Sequence, residues 1–334
     1  MNKTIEDPSK KSETLAELSK LTTSFAEDDE YSLTCLHQWQ GVWLNKKILD
    51  GVILCQRDFQ ARDNDIILAT FPKSGTTWLK AIMYAVTQRD QFPNMATHPV
   101  LSSNSHELVP FLESIAISAI TDTVDFHSGN SSNVFSTHLP SDILPQSVWS
   151  SGCKIVYLCR NPKDTFVSAW HFWVNLVEGK QEILLGDVVE MFCNDKLLYG
   201  PYWEHVVGYW KRASENPEKI LFLKYEDLVK NPNDKLRELA AFLGCPFTRE
   251  EEADGVPNSI LNLCSFENMS SSEVNKAGTY HSDLLNSTFS NKAFFRKGQV
   301  GDWVNFLTDD MAKKIDQIAC EKFGSLSLNF DYGV

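Results

Sequence analysis

The sequence predicts an α/β protein with a central parallel sheet flanked by helices, and three observations carry that reading. Strand-length apolar runs alternate with longer amphipathic segments, the pattern of strands returned to parallel neighbours by helices. The run Ile220-Leu221-Phe222-Leu223 is apolar without alternation, as expected of a central strand buried on both sides. Finally, Ile66-Ile67-Leu68-Ala69 leads into the turn Phe71-Pro72-Lys73-Ser74-Gly75-Thr76-Thr77-Trp78 and then an apolar helical stretch as far as Val86. Strand, Gly/Ser/Thr turn and helix together bind phosphate, because free backbone N–H groups and the positive helix end converge on an anion.

In chain order, residues 1–12 read as a flexible polar tail, and 14–25 have helical periodicity with Leu15, Leu18 and Leu21 on one side. The strand at 66–69 is followed by helices at 78–86 and 104–114, then strands at 133–137 and 154–159. Helices at 162–178 and 201–215, a strand at 219–225 and a helix at 234–243 complete the alternation. The stretch 270–291, rich in Ser, Asn and Thr without clear periodicity, reads as a surface loop. With no repeat and no low-complexity linker, residues 13–334 read as one domain.

A chain of 334 residues, 43% hydrophobic and with nine Trp, can bury a substantial core. Its formal net charge of −13 argues against a general nucleic-acid binder and makes any anion site a local concentration of cations against an adverse field. The eight cysteines form no C-x-x-C pair or Cys/His cluster at zinc spacing, so no metal site is expected. The charged N-terminus lacks the apolar core of a secretory signal, and no apolar run approaches the roughly 20 residues of a membrane span. The expected setting is the cytoplasm, with no membrane partner.

In the 71–78 turn, Lys73 adds a mobile cation, and Ser74, Thr76 and Thr77 add hydroxyl donors. The Walker pattern needs Gly, four residues, then Gly-Lys-Ser/Thr, whereas here the lysine precedes Gly75. The loop is therefore expected to hold an anionic nucleotide otherwise than an ATPase holds ATP. A second anion contact is expected where 154–159 delivers Arg160 to its C-terminal end, with Pro162 starting a helix that carries Ser168 about two turns on. A third is Arg296-Lys297-Gly298, closing the Ser/Asn-rich stretch, and a candidate base is His138 in Phe135-Ser136-Thr137-His138-Leu139-Pro140. Each alone has an ordinary alternative: a surface ion pair, a solvated basic turn, a structural histidine.

Taken in order, these motifs resemble the soluble sulfotransferases, which move a sulfuryl group from 3′-phosphoadenosine 5′-phosphosulfate (PAPS) to a hydroxyl or amine. The resemblance runs from Arg57 to Lys322 and is strongest at 72–78, 137–140, 160–168 and 296–303; it is closest to the plant branch, whose acceptors include flavonoids, steroid hormones and other plant metabolites. It implies a P-loop-like PAPS-binding fold in which Lys73, Ser74, Gly75, Thr76 and Thr77 cradle the 5′-phosphosulfate and Trp78 packs on the adenine. It also implies that Arg160, Ser168, Arg296, Lys297 and Gly298 bind the 3′-phosphate, that Tyr225, Ser265, Phe266 and Met269 contact adenine, and that His138 is the general base with Lys73 assisting the leaving phosphate. The implied co-substrate is PAPS without a metal, and the acceptor is a small organic molecule in a pocket near His138, with Trp39, Trp43, Phe111, Trp170, Trp173 and the 270–291 stretch as candidate walls.

Two departures stand out. Ser136 replaces a lysine common in animal members two residues before the histidine, and Val304, Asp309 and Lys313 replace the Lys, Val and Glu of the animal dimer motif, which favours a monomer. Two alternatives stay open at this point: a P-loop kinase, opposed by the lysine-before-glycine order, and a PAPS-binding sensor without catalysis, opposed by the presence of both Lys73 and His138.

Overall fold

The computed structural model describes residues 27–28, 36–121, 126–127, 133–176, 183–326, 328 and 330; the expected tail at 1–12 and helix at 14–25 lie outside them. A small antiparallel sheet comes first, with β1 (Glu27–Asp28), β2 (Leu36–Trp39) and β3 (Val42–Asn45) in that order. The centre is a parallel sheet of β4 (Ile66–Thr70), β5 (Val134–Thr137), β6 (Lys154–Cys159) and β7 (Ile220–Lys224), ordered β5-β4-β6-β7. A hairpin of β8 (Thr279–Ser282) and β9 (Ser287–Ser290) completes the strands.

The apolar runs form this sheet because both of its faces are covered. Ile67, Ala69, Phe135, Ile155 and Tyr157 enter one core with the helix Lys46–Asp58, and Leu68, Val134, Val156, Leu158 and Leu223 enter a second with the helices Thr76–Thr87 and Pro232–Phe242. Every second residue therefore serves the opposite core, so the strands show no polar face. Each fully buried aliphatic side chain in this set contributes about 1.5–3 kcal/mol of burial.

β7 is an edge strand, not the central one its apolar run predicts. Leu221 and Phe222 are only partly buried, and Trp210 of the helix Tyr202–Glu215 packs its ring at 5.0 Å from that of Phe222. An apolar run records cover by helices as readily as flanking strands. The expected helix at 104–114 also divides, into Ser105–Leu108 and Leu112–Thr121. Pro110 cannot donate to a helix, and its carbonyl accepts instead from Ser136 N–H at 2.8 Å, which sets Phe111 against the open side of β5. The 270–291 stretch is not an irregular loop: it completes the helix Phe266–Ser271, forms the helix Glu273–Ala277 and supplies the hairpin β8–β9. Sequence periodicity also passes over the helices Lys46–Asp58, Leu185–Cys193, Arg249–Ala253, Val256–Leu263 and Asp309–Phe323.

The register places the ends of all four parallel strands together. Ala69 pairs with Thr137 and Tyr157, Leu158 with Leu223, and Cys159 with Lys224. The residues that follow (Phe71–Lys73, His138, Arg160 and Tyr225) therefore share one edge of the sheet. Because the chain runs from β4 to β5 on one side and then crosses to β6 on the other, this edge is the switch point at which open α/β sheets bind ligands.

Candidate active site

The turn after β4 is tight: Ser74 N–H donates to the Phe71 carbonyl at 3.3 Å, with Pro72 and Lys73 between. Lys73 has φ of +70°, the conformation a type II turn demands of its third residue, where glycine is the usual occupant. A lysine there is held at a backbone cost of about 1–2 kcal/mol. Gly75 has φ of +107°, and a Cβ on it would come within 2.8 Å of the Tyr225 ring, so the loop lies directly against the end of β7. Gly75 also caps the helix Thr76–Thr87 without a side-chain hydrogen bond, which leaves first-turn N–H groups for an external acceptor. Ser74 is wholly buried, and its Oγ has no partner.

Cations gather around this helix end. Lys73 Nζ lies 4.1 Å from the centre of the Phe172 ring and 5.9 Å from that of Phe294. Burial, then Arg160 and Arg296, push its pKa down to about 7. Arg160 lies 4.6 Å over the Tyr225 ring and donates from Nη2 to the Gln299 carbonyl at 2.7 Å, with Asp164 3.9 Å away; its Nε is buried without a partner. Arg296 and Lys297 both bond Asp302, the lysine at 2.7 Å, and Arg296 Nε is likewise buried and unpartnered. Burial acts to raise the Asp302 pKa, but hydrogen bonds from Lys297, Arg296 and Asn305 outweigh it and push the carboxyl down to about 2. Gly298 has φ of +65°, and a Cβ there would come within 2.6 Å of the Phe266 ring.

His138 follows β5 on the same edge. Its Nδ1 lies 2.7 Å from the Thr70 carbonyl, which can only accept, so Nδ1 carries the proton and Nε2 the lone pair. Its backbone is fixed on both sides: His138 N–H donates to Glu113 Oε1 at 3.2 Å, and its carbonyl lies 3.0 Å from His205 Nε2, an N–H donor oriented by Tyr157 at His205 Nδ1. Burial, against the Thr70 hydrogen bond and with Lys80, His205 and Lys73, pushes the His138 pKa down to about 3, so the ring is neutral at physiological pH. Thr70 Oγ1, 3.1 Å from His138 Nδ1, is also 2.7 Å from Thr76 Oγ1, linking the histidine to the anion loop.

One cavity of 680 Å³ joins these groups. Of the site residues expected from sequence, Lys73, Gly75, Thr76, Thr77, Trp78, His138, Arg160, Ser168, Tyr225, Ser265, Phe266, Met269, Arg296, Lys297 and Gly298 all line it, and Ser74 is buried beneath. Phe111 and Trp173 are walls as expected, and 270–291 contributes Ser282, Leu284 and Leu285. Trp39, Trp43 and Trp170 are not walls: they pack on the core, and Trp170 Nε1 donates to the Ile183 carbonyl at 3.1 Å. Sequence reasoning missed Thr70, Lys80, His106, Glu113, His171, Phe172 and Tyr199. For His171 and Phe172 a signal existed, since they lie three and four residues beyond Ser168 on one helix. Of the others, His106 and Tyr199 line the cavity through the tertiary fold alone, and Thr70, Lys80 and Glu113 lie behind its wall, bonded to His138 and His106.

Comparison with known proteins agrees with this geometry. A sulfotransferase domain model matches residues 63–327. The chain is 42% identical to cytosolic sulfotransferase 5 of Arabidopsis thaliana, over 99% of each chain. It is 44% identical to cytosolic sulfotransferase 6 of the same plant, over 95% of this chain and 96% of that one. Among solved structures, a candidate steroid sulphotransferase from Arabidopsis thaliana superposes with a TM-score of 0.75 at 37% identity, covering 96% of this chain and 97% of that one. A mouse sulfotransferase complexed with PAP superposes with a TM-score of 0.66 at 27% identity, covering 86% and 95%. With a phosphate-type turn, clustered cations and a neutral histidine at the edge of one parallel sheet, the chain belongs to the sulfotransferase domain family and is a PAPS-dependent sulfotransferase.

Proposed function

We propose that this protein is a monomeric cytosolic enzyme, a single sulfotransferase unit over residues 13–334, that transfers the sulfuryl group of PAPS to a hydroxyl of a small plant metabolite with His138 as general base. The observation that carries the reading is the crowding of Lys73, Arg160 and Arg296 at a helix end without a side-chain cap, where burial and then the two arginines depress the lysine, with buried unpartnered donors at Ser74 Oγ, Arg160 Nε and Arg296 Nε. Such a group awaits a polyanion. In this reading Lys73–Thr77 hold the phosphosulfate, and Arg160, Ser168 and Arg296–Gly298 hold the 3′-phosphate. Trp78, Tyr225, Ser265, Phe266 and Met269 enclose the adenine.

In the transfer, His138 Nε2 takes the acceptor's proton as the acceptor oxygen bonds to sulfur. The bond from sulfur to the bridging phosphate oxygen breaks, and its electron pair stays on that oxygen, where Lys73 meets the developing charge. The acceptor side of the cavity has Ile48, Phe111, Leu198, Tyr199 and Leu284 as walls, with His138 and Tyr199 rings 5.3 Å apart. These walls favour a flat, largely apolar alcohol or phenol, and Tyr199 OH, buried without a partner, is a candidate donor to it.

Calorimetric titration tests the nucleotide half. PAP should bind about 10–150-fold more tightly than AMP, which differs from it only in lacking the 3′-phosphate, as expected of one or two charge-assisted hydrogen bonds. Arg160→Ala should narrow that preference several-fold, with Ser168 and Arg296–Gly298 keeping the remainder, and an unchanged preference would remove Arg160 from the 3′-phosphate site. Lys73 adds a pH signature. A bound anion raises the lysine pKa above its value of about 7, so above that pH binding takes up a proton and tightens as the solution is acidified, levelling off below it. Titrations in buffers of different ionisation enthalpy should show this uptake at pH 8 in the wild type and less of it in Lys73→Met. Equal uptake in both would assign the proton elsewhere.

A further inference from the structure

Lys80 is wholly buried on the helix Thr76–Thr87, one turn beyond the anion loop, and the mechanism above leaves it unused. Its Nζ lies 2.9 Å from His106 Nδ1 and 3.5 Å from the centre of the Phe111 ring. His106 is buried too, with its ring stacked on Phe111 at 5.4 Å and its Nε2 3.3 Å from Thr77 Oγ1. A buried, hydrogen-bonded Lys–His–Thr line is costly to desolvate, and it ends on a hydroxyl of the loop that faces the cavity.

We infer that Lys80 is a positioning residue: it donates to His106 Nδ1, which leaves the only ring proton on Nε2 to donate to Thr77 Oγ1, and so frees the Thr77 O–H to point at the transferring group. Only one direction of donation makes Thr77 a donor to the cavity, because a hydroxyl that accepts from the imidazole spends its own proton elsewhere. Burial, followed by Lys80, His138 and Lys73, keeps His106 neutral, which restricts it to one ring proton. Burial pushes the Lys80 pKa well down, and the Glu113 carboxylate, which accepts from Thr137 Oγ1 at 2.8 Å, acts against that shift; protonated or neutral, the amine keeps an N–H to donate to His106 Nδ1.

The inference rests on the PAPS-transfer reading and is tested by a double-mutant cycle with labelled PAPS. Lys80→Met should lower kcat roughly tenfold while KM for PAPS changes less than about threefold; in a Thr77→Val background the same change should cost less than about twofold. Full multiplication of the two losses would overturn the relay. The ring itself is probed by His106→Gln, whose amide can accept from Lys80 and donate to Thr77, against His106→Phe, which keeps only the stacking. Gln should retain several-fold more activity, and equal activities would reduce the line to packing; this pair carries the test if Lys80→Met does not fold. Nitrogen-15 shifts of His106 in the wild type should report the Nε2–H tautomer, and an Nδ1–H tautomer would overturn the relay whether or not any acceptor is sulfated. A folded wild type that transfers no sulfuryl group defeats the functional reading instead.

Discussion

Alanine in place of His138 is expected to lower kcat by about 10²–10⁴-fold while leaving PAP affinity nearly unchanged. The expectation follows from where the ring sits. His138 Nδ1–H is committed to the Thr70 carbonyl at 2.7 Å, so its only free function is the Nε2 lone pair facing the cavity. A neutral phenol near pKa ~10 is a poor nucleophile until its proton is shared. A polyanion bound beside His138 would oppose the burial and the cations that push its pKa down to about 3, moving the ring toward the range in which a base works. The backbone supports from Glu113 and His205 survive the substitution, so the loss should fall on kcat. Comparison of single-turnover rates with PAP dissociation constants separates the two, and retained turnover would remove the base assignment.

Lys73→Met should cost about 10²–10³-fold in the transfer step, the scale of losing one preorganised donor at a developing negative charge. Ser136, two residues before His138, donates to the Pro110 carbonyl at 3.1 Å and supplies no second cation beside Lys73. Its strained backbone and its place over the Phe172 ring hold the ammonium ready at the loop. Lys73 is one of several cations and hydroxyls proposed to hold the nucleotide, so affinity should fall less than the rate. An unchanged transfer rate would rule out a leaving-group role.

Much of this site was legible before any coordinates because phosphate chemistry is local. The turn from Phe71 to Trp78 announces itself through residue types at fixed offsets, as does Arg160 between an apolar strand and a helix-starting proline. The register of four parallel strands then does the rest, bringing distant motifs to one edge. Other features are set by tertiary pairing. Pro110 breaks a helix-like stretch because its carbonyl is wanted by Ser136, and β7 is apolar although it is an edge because Trp210 covers Phe222. The Ser/Asn-rich stretch alternates weakly because Tyr280 and Phe289 are only partly buried, against Phe294, His106 and Phe172. Lys80, His106 and Glu113 are scattered polar residues in sequence, and only burial against Phe111 and Thr137 joins them.

The most direct measurement is transfer of sulfur-35 from labelled PAPS by the purified protein across flavonoids, steroids, jasmonates and desulfoglucosinolates. A labelled sulfate ester of at least one flat apolar acceptor is expected from the wild type, and its near disappearance from His138→Ala. Tight PAPS binding with no labelled product from any acceptor, or equal labelling by the two proteins, would contradict it.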